Sequence, residues 1–450
     1  MQSTTIARLV ALCPLVLFFG LFLGCGLYFS VTGKENAFYQ VSSSVAILPS
    51  IILAILLCKE RFNRRMDIFL EGVSDTNIMV MVLIYLLAGA FAAVLQSTGG
   101  VHAIVHFSLN FISAEATLPV LFLVSALVST AIGTSMGTIA AIGPIGVGIA
   151  SSLGLSLPLT MGVLVGGAMF GDNLSLISDT SIAATQIHGC TPQEKFNKNL
   201  KVALPTMLVT VLLISLLGSR VSGTPILAEG DYQLIQCLPY FMVLVFSLSG
   251  VNVFVVLTLG IVVAGIVGVL TIPTYTFLTV AHNIFDGYKS MLEILIFSLL
   301  ISGLGALIKY QGGFSLITGA FEKWILSKKK IQKRIAEFSM AILVSFTDIC
   351  TANNTTSIIL SGEMTREIAR KNNVAPDRSA TIVDLFSCVF QGILPYGAQI
   401  LMAGSLAGIS PLSIIVHVHY CYLLGIAGVG FILFGQERKC ITAADHPVLQ

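Results

Sequence analysis

The chain has 450 residues, of which 55% are hydrophobic and only 10% charged, with 41 glycines and a formal net charge of +2. No soluble domain of this size needs so much apolar side chain to fill a core, so the composition points to an integral membrane protein and gives no reason to expect a nucleic-acid partner. Apolar runs of about 15–25 residues recur along the chain and fit packed helices, because ~20 residues span the hydrocarbon layer, whereas the short alternating segments of a β-barrel are missing.

Residues 1–75 are expected to form two N-terminal transmembrane helices. The first run, Ala7–Val31, follows a single Arg8 and is too long for a signal-peptide core, so it reads as a retained helix. Residues 76–201 hold a helix, a hairpin and a broken helix. Three linking helices follow within 202–290 (Val202–Gly218, Cys237–Leu248 and Val251–Leu270), then a second copy of the first pattern over 291–409, then a last helix, Leu412–Phe434, and a tail.

Lys and Arg gather at Lys59–Arg65, Lys195–Lys201, Lys323–Arg334, Arg366–Arg378 and Arg438–Lys439, which the positive-inside rule places in the cytoplasm. Both termini then lie inside. The nine cysteines are scattered through apolar segments without metal-type spacing and read as reduced packing residues.

Leu83–Gly100 resembles Ile296–Gly313, and after each comes the same order of parts: an apolar run, a Thr/Asn/Ser cluster, a second apolar run, a proline (Pro158 or Pro376) and an interrupted hydrophobic segment. The first copy continues past its Gly-Gly pair without Lys or Arg and the second into a strongly basic stretch. The copies therefore face opposite ways, the inverted-repeat plan of secondary transporters.

Two short arms flank each polar cluster: Leu118–Ile132 with Ile139–Ala150, and Ile335–Ile349 with Ile358–Ala369. Arms of this length reach about 18–23 Å, short of the ~30 Å hydrocarbon core, so each pair is expected to be a re-entrant hairpin, with tips at Gly133–Thr138 and Thr351–Thr356. Beside them, Leu157–Gln186 breaks across Gly171–Ser178 and Pro376–Leu406 across Gly392–Gly397, leaving backbone groups free to meet an ion. The fold class expected is an all-α membrane protein, an inverted-repeat transporter with ten full spans, two re-entrant hairpins and two interrupted helices.

Asp172, Asp179, Asp348 and Asp384 fall in apolar sequence with no Lys or Arg in the same segments. Each carboxylate costs about 2.5–3.5 kcal/mol at a helix centre, so a proton, a metal ion or a cationic substrate is expected to compensate them. The neighbouring oxygens of Thr134, Ser135, Thr138, Asn173, Ser175, Ser178 and Thr180 in the first copy, and of Thr351, Asn353, Asn354, Thr355 and Thr356 in the second, suit hard cations and not zinc or copper. Sodium and protons fit best. Burial favours the protonated carboxyl and a bound cation the ionised one, so competition at one carboxylate suffices for exchange. Structural roles stand beside this reading: Asp348 and Asp384 as cap or interhelical bond, the Thr/Asn clusters as helix–helix glue, and His188 as a loop residue suited to pH sensing.

The segment Gly171-Asp-Asn-Leu-Ser-Leu-Ile-Ser-Asp-Thr180 resembles the Gly-Asp-x-x-Ser-Pro-x-Ser-Asp-Thr signature of the NhaC family of sodium/proton antiporters. The match covers Gly171, Asp172, Ser175, Ser178, Asp179 and Thr180, with Leu176 in place of the usual proline, which leaves the break less enforced. The hairpin tips look like the Ser-Asn-Thr loops of a broader ion-transporter superfamily. The resemblance implies a non-enzymatic transporter of the inner membrane without a resident cofactor, in contact with lipid, that exchanges sodium for protons, with Asp172 and Asp179 holding the cation. Relatives that move amino or organic acids are also implied, and Gln391, Tyr396 and Gln399 give this chain polar reach for such a substrate. A homodimer is left open.

Overall fold

The computed structural model describes residues 10–32, 40–100, 103–104, 107, 113–176, 178–218, 233–249, 251–313 and 333–435. Most of Lys323–Arg334, and Lys34–Tyr39, Arg438–Lys439, Cys440 and Ile177, lie outside these residues. Every regular element described is a helix. The N-terminal part comprises α1 (Cys13–Val31), α2 (Leu48–Leu57) and the amphipathic α3 (Phe62–Val73). Next come α4 (Thr76–Ser97), α5 (Thr117–Ile132), α6 (Ser135–Leu153), α7 (Leu157–Leu174) and α8 (Asp179–His188). The linking helices are α9 (Pro192–Gly218), α10 (Leu238–Leu248), α11 (Val253–Thr271) and α12 (Phe277–Ser290). Then follow α13 (Leu292–Tyr310), α14 (Lys333–Thr351), α15 (Asn354–Lys371), α16 (Pro376–Gln391), α17 (Ala398–Ala407) and α18 (His419–Phe434). Among the described residues six helical stretches are long and apolar enough to cross a membrane: one in α4, then α6, α7 with α8, α9, α11 and α13.

The hairpin arms are longer than the apolar runs suggest. At 16 and 19 residues in the first hairpin and 19 and 18 in the second, they extend about 24–29 Å. The polar residues are tolerated in helix because their hydroxyls find an acceptor one turn earlier: Thr138 Oγ1 donates to Thr134 O at 3.0 Å and Thr351 Oγ1 to Thr347 O at 2.9 Å. Each tip shrinks to two residues. Gly133 and Ala352 take a left-handed conformation (φ 78° and 51°). Thr134 (φ −152°, ψ 124°) and Asn353 (φ −150°, ψ 113°) then lead extended into the second arm.

Left-handed turns recur at matching spacings along the chain. Among the described residues eight have positive φ, and they form four pairs. Gly133 with Ala352, Gly154 with Asn373 and Gly189 with Gly408 are each 219 positions apart, and Gly99 with Gly312 are 213 apart. Such backbone is uncommon for residues with a Cβ, so Ala352 and Asn373 mark turns held by the surrounding structure.

Two elements begin where local rules put them but apolar runs do not. α9 starts at Pro192, ten residues before the apolar run, behind a capping box: Thr191 N donates to Glu194 Oε2 at 2.8 Å and Glu194 N to Thr191 Oγ1 at 3.2 Å. Lys195 and Asn199 are therefore helical and buried, not loop residues. α12 is an additional helix after the three expected linking helices, capped by Thr276 and set against α4, where the backbones of Gly89 and Gly287 touch with no room for a Cβ on either. The last expected helix is divided, Pro411–Ile415 preceding α18.

Candidate ion-binding site

The two broken helices and the two hairpin tips meet at one small cavity. α7 stops at Leu174 because Ser175 turns extended (φ −64°, ψ 137°), and α8 restarts behind Ser178, whose Oγ accepts from Ser181 N at 3.2 Å. At the second break α16 ends at Gln391, and α17 restarts at Ala398 after Gly392, Pro395 and Gly397. The cavity, about 80 Å³, is lined by Thr134 and Ser135 of the first tip, Asn353, Asn354 and Thr355 of the second, Asp172, Asp179 and Thr180 around the first break, and Gln391 and Gln399 around the second. That is room for a cation with a few waters.

Asp172 is the buried acid of this cavity, 7% exposed. Its Oδ2 accepts from Ser135 Oγ at 2.7 Å and from Ser135 N, the first amide of α6, at 3.3 Å. The N-terminus of a helix is a natural seat for negative charge. Ser135 Oγ in turn accepts from Gln399 Nε2 (3.0 Å), and Gln399 Oε1 from Gln391 Nε2 (2.6 Å), which also approaches Ala352 O at 3.3 Å. One hydrogen-bonded ladder thus runs from Asp172 across α17 and α16 to the opposite tip.

Asp179 lines the same cavity but is exposed, at the first turn of α8. Both acids were expected to be trapped; only Asp172 is. Asp348 is fully buried four residues before the second tip, and neither of its oxygens has a hydrogen-bond partner. The other expected residues stand outside the lining. Thr138 is inside α6, Ser175 and Ser178 form the ends of the first break, and Thr356 faces a second cavity. Tyr396 donates to Ile349 O at 2.8 Å and packs on Phe18 and Phe19.

Asn173 belongs to a different cluster, and this corrects the expectation that the buried acids lack a built-in cation. Lys195 Nζ reaches from α9 to Asp384 Oδ2 at 2.6 Å, both side chains nearly fully buried. Asn173 Nδ2 (2.7 Å) and Asn199 Nδ2 (3.0 Å) donate to the same oxygen. The expectation fails because it compared residues within each segment, while the lysine arrives from a helix 189 positions away in sequence. Arg378 is likewise buried, bidentate to Glu337 at 2.6 and 2.8 Å, with its plane over Phe431. Asp172 has no such partner among the described residues.

Residues 4–219 match the Na+/H+ antiporter family, a segment that contains the first hairpin, the break and Asp172. The Na(+)/H(+) antiporter NhaC of Bacillus subtilis is 24% identical over 80% of this chain and 84% of its own length. Over that segment and along this relative the chain is similar to sodium/proton antiporters of the NhaC type. The Malate-2H(+)/Na(+)-lactate antiporter of the same organism is 22% identical over 96% of both chains, and the solved YdaH transporter of Alcanivorax borkumensis aligns over 95% of this chain and 97% of its own with 12% identity and a TM-score of 0.45. The second hairpin and second break lie outside the matched segment, yet they supply half of the cavity's polar wall.

Proposed function

We propose that this protein is a secondary transporter of the plasma membrane that exchanges sodium for protons at Asp172. One observation carries the reading: a buried carboxylate, bonded only to Ser135, faces a small oxygen-lined cavity where both hairpin tips and both helix breaks converge. Leaving that charge uncompensated in a bilayer costs about 2.5–3.5 kcal/mol, so a cargo cation or a proton takes the place, one excluding the other. Asp179, Thr134, Thr180, Asn353, Asn354 and Gln391 offer the further oxygens of a sodium shell, and Asp179 gives an entering cation its first electrostatic contact.

The proposed arrangement is two inverted copies around a midplane site, with ten spans, two re-entrant hairpins and both termini in the cytoplasm. It is supported by the paired turns 219 positions apart and by the opposite basic flanks of the two copies. A vestibule of about 480 Å³ adjoins the cavity at Asn353 and is bordered by Glu71, Asp75, Lys309 and Tyr310. Arg64 of the basic stretch Lys59–Arg65 lies over the ring of Tyr310 at its border, which supports an entry on the cytoplasmic side.

The direct test is sodium-dependent proton movement in everted vesicles. Asp172→Asn is expected to abolish it with insertion intact, and Asp179→Asn to weaken it; full exchange by Asp172→Asn removes this residue from the mechanism. A second reading is a sodium- or proton-coupled carrier of a small organic acid, favoured by the vestibule's size and by Lys309 as a partner for a carboxylate. Proteoliposomes with an interior pH dye, challenged in turn with sodium, lithium, potassium and a panel of amino and carboxylic acids, separate the two.

A further inference from the structure

We propose that Asp384, Asn173, Asn199 and Ser181 form a second site for a sodium-sized cation, occupied here by the Lys195 ammonium as a tethered cation that a mobile ion must displace. The inference rests on the reading of the chain as a cation transporter, but its residues stand outside the Asp172 cavity.

The lysine is buried to 1% exposure, a state that Lys reaches almost only when paired. Its three N–H donors meet three oxygens of different kinds: Asp384 Oδ2 at 2.6 Å, Ser181 Oγ at 2.6 Å and the Asn173 carbonyl at 3.0 Å. Carboxylate, hydroxyl and carbonyl together are the ligand mix a hard cation takes. Ser181 is free to accept because its own proton goes to Ser175 O at 2.6 Å. The Asn173 carbonyl lies in the last turn of α7, where carbonyls lose their helical partners and the helix dipole favours positive charge.

More oxygen is present than the ammonium uses. Asp384 Oδ1, Asn173 Oδ1 and Asn199 Oδ1 are all buried without a hydrogen-bond partner. Buried acceptors left idle are rare, and three in one cluster indicate a second arrangement in which they are engaged. Asp384 and Lys195 neutralise each other, so an added cation would leave the cluster with uncompensated positive charge; it can enter only as the ammonium leaves. The exit is short. Lys195 sits in the first turns of α9 between exposed Glu194 and Asn197, and a lysine's flexible stem can carry its head to that surface. Because Asn173 adjoins Asp172 on α7, the exchange would be felt at the cavity.

The experiment counts sodium bound at equilibrium, with radioactive sodium, by the full chain in lipid nanodiscs. Lys195→Met is expected to bind one more ion per chain than the wild type, and its Tm to rise with added sodium but not with choline. Lys195→Arg keeps the charge and should show no gain. Adding Asp384→Asn to Lys195→Met should remove the extra ion, while adding Asp172→Asn should leave it, measured against Asp172→Asn alone. An unchanged count in Lys195→Met, or a gain that survives Asp384→Asn, overturns the proposal; should that variant not assemble, Lys195→Gln, which can still donate to Asp384, takes its place with the same expected gain. Failure of the Asp172 reading shows separately, as wild-type binding by Asp172→Asn.

Discussion

Gly171, which precedes Asp172, is where packing and ion handling can be tested together. α7 lies so close to α5 that a Cβ on Gly171 would run into the Ala126 carbonyl, and would stand 2.5 Å from Ser129 Cβ and 2.6 Å from Thr130 N. Gly167, one turn earlier, is pressed in the same way against the Phe122 carbonyl, so the two form a small-xxx-small contact of the kind that lets membrane helices touch. Ordinary contact begins near 3.4 Å, so Gly171→Ala requires the helices to part by about 0.8 Å at Thr130. Overpacking of this kind costs about 1–3 kcal/mol. The displaced neighbour is Asp172, whose bond to Ser135 would stretch from 2.7 Å to the limit of hydrogen bonding. A misplacement near 1 Å can cost on the order of 10²-fold in rate. The expected result is a lower Tm in detergent and at least a 10-fold loss of sodium-dependent proton flux in everted vesicles. Gly430→Ala is the control: nothing lies within 4 Å of its Cβ in α18, and removing a helical glycine should leave flux intact and gain up to about 1 kcal/mol. A Gly171→Ala protein with wild-type melting and flux would refute the close-packing argument and its link to Asp172.

Glu337→Gln should be destabilising by about 3–5 kcal/mol, since it leaves Arg378 buried without its counter-ion, and would be read from the Tm and the yield of folded protein. Gln399→Leu removes two buried hydrogen bonds, to Ser135 and from Gln391; a loss of about 1–2 kcal/mol felt at the Ser135–Asp172 contact should raise the apparent KM for sodium by about 5- to 30-fold, together with a lower Tm. Asp348→Asn keeps the size of a side chain whose oxygens have no partner and which lines neither cavity, so normal assembly and normal exchange are expected; loss of exchange would give Asp348 a part in transport. In a cysteine-free background, Gly305→Cys at the vestibule should react with a cationic thiol reagent applied to the cytoplasmic face and not the external one, with block of transport.

What the amino-acid order determined by itself is the local grammar of the chain. The breaks at 175–178 and 392–397 follow from Ser, Gly and Pro, which act on their own backbone within a few residues, and composition alone commits the chain to lipid. The capping box Thr191-Pro-Gln-Glu194 is equally local and starts α9 ahead of its apolar run, where hydropathy gives no sign of a helix. The tertiary structure decided which polar groups meet. Charge counting along the chain sends Lys195 to the cytoplasm; packing of α9 against α16 buries it on Asp384, while Gln399 and Gln391, 264 and 256 positions from Ser135, join it in the ladder that ends on Asp172. Whether a buried carboxylate is compensated or open to a passing cation is a question of distance in space. Distance along the sequence carries almost no information about it, because a helix brings side chains from any depth to any other helix it packs against.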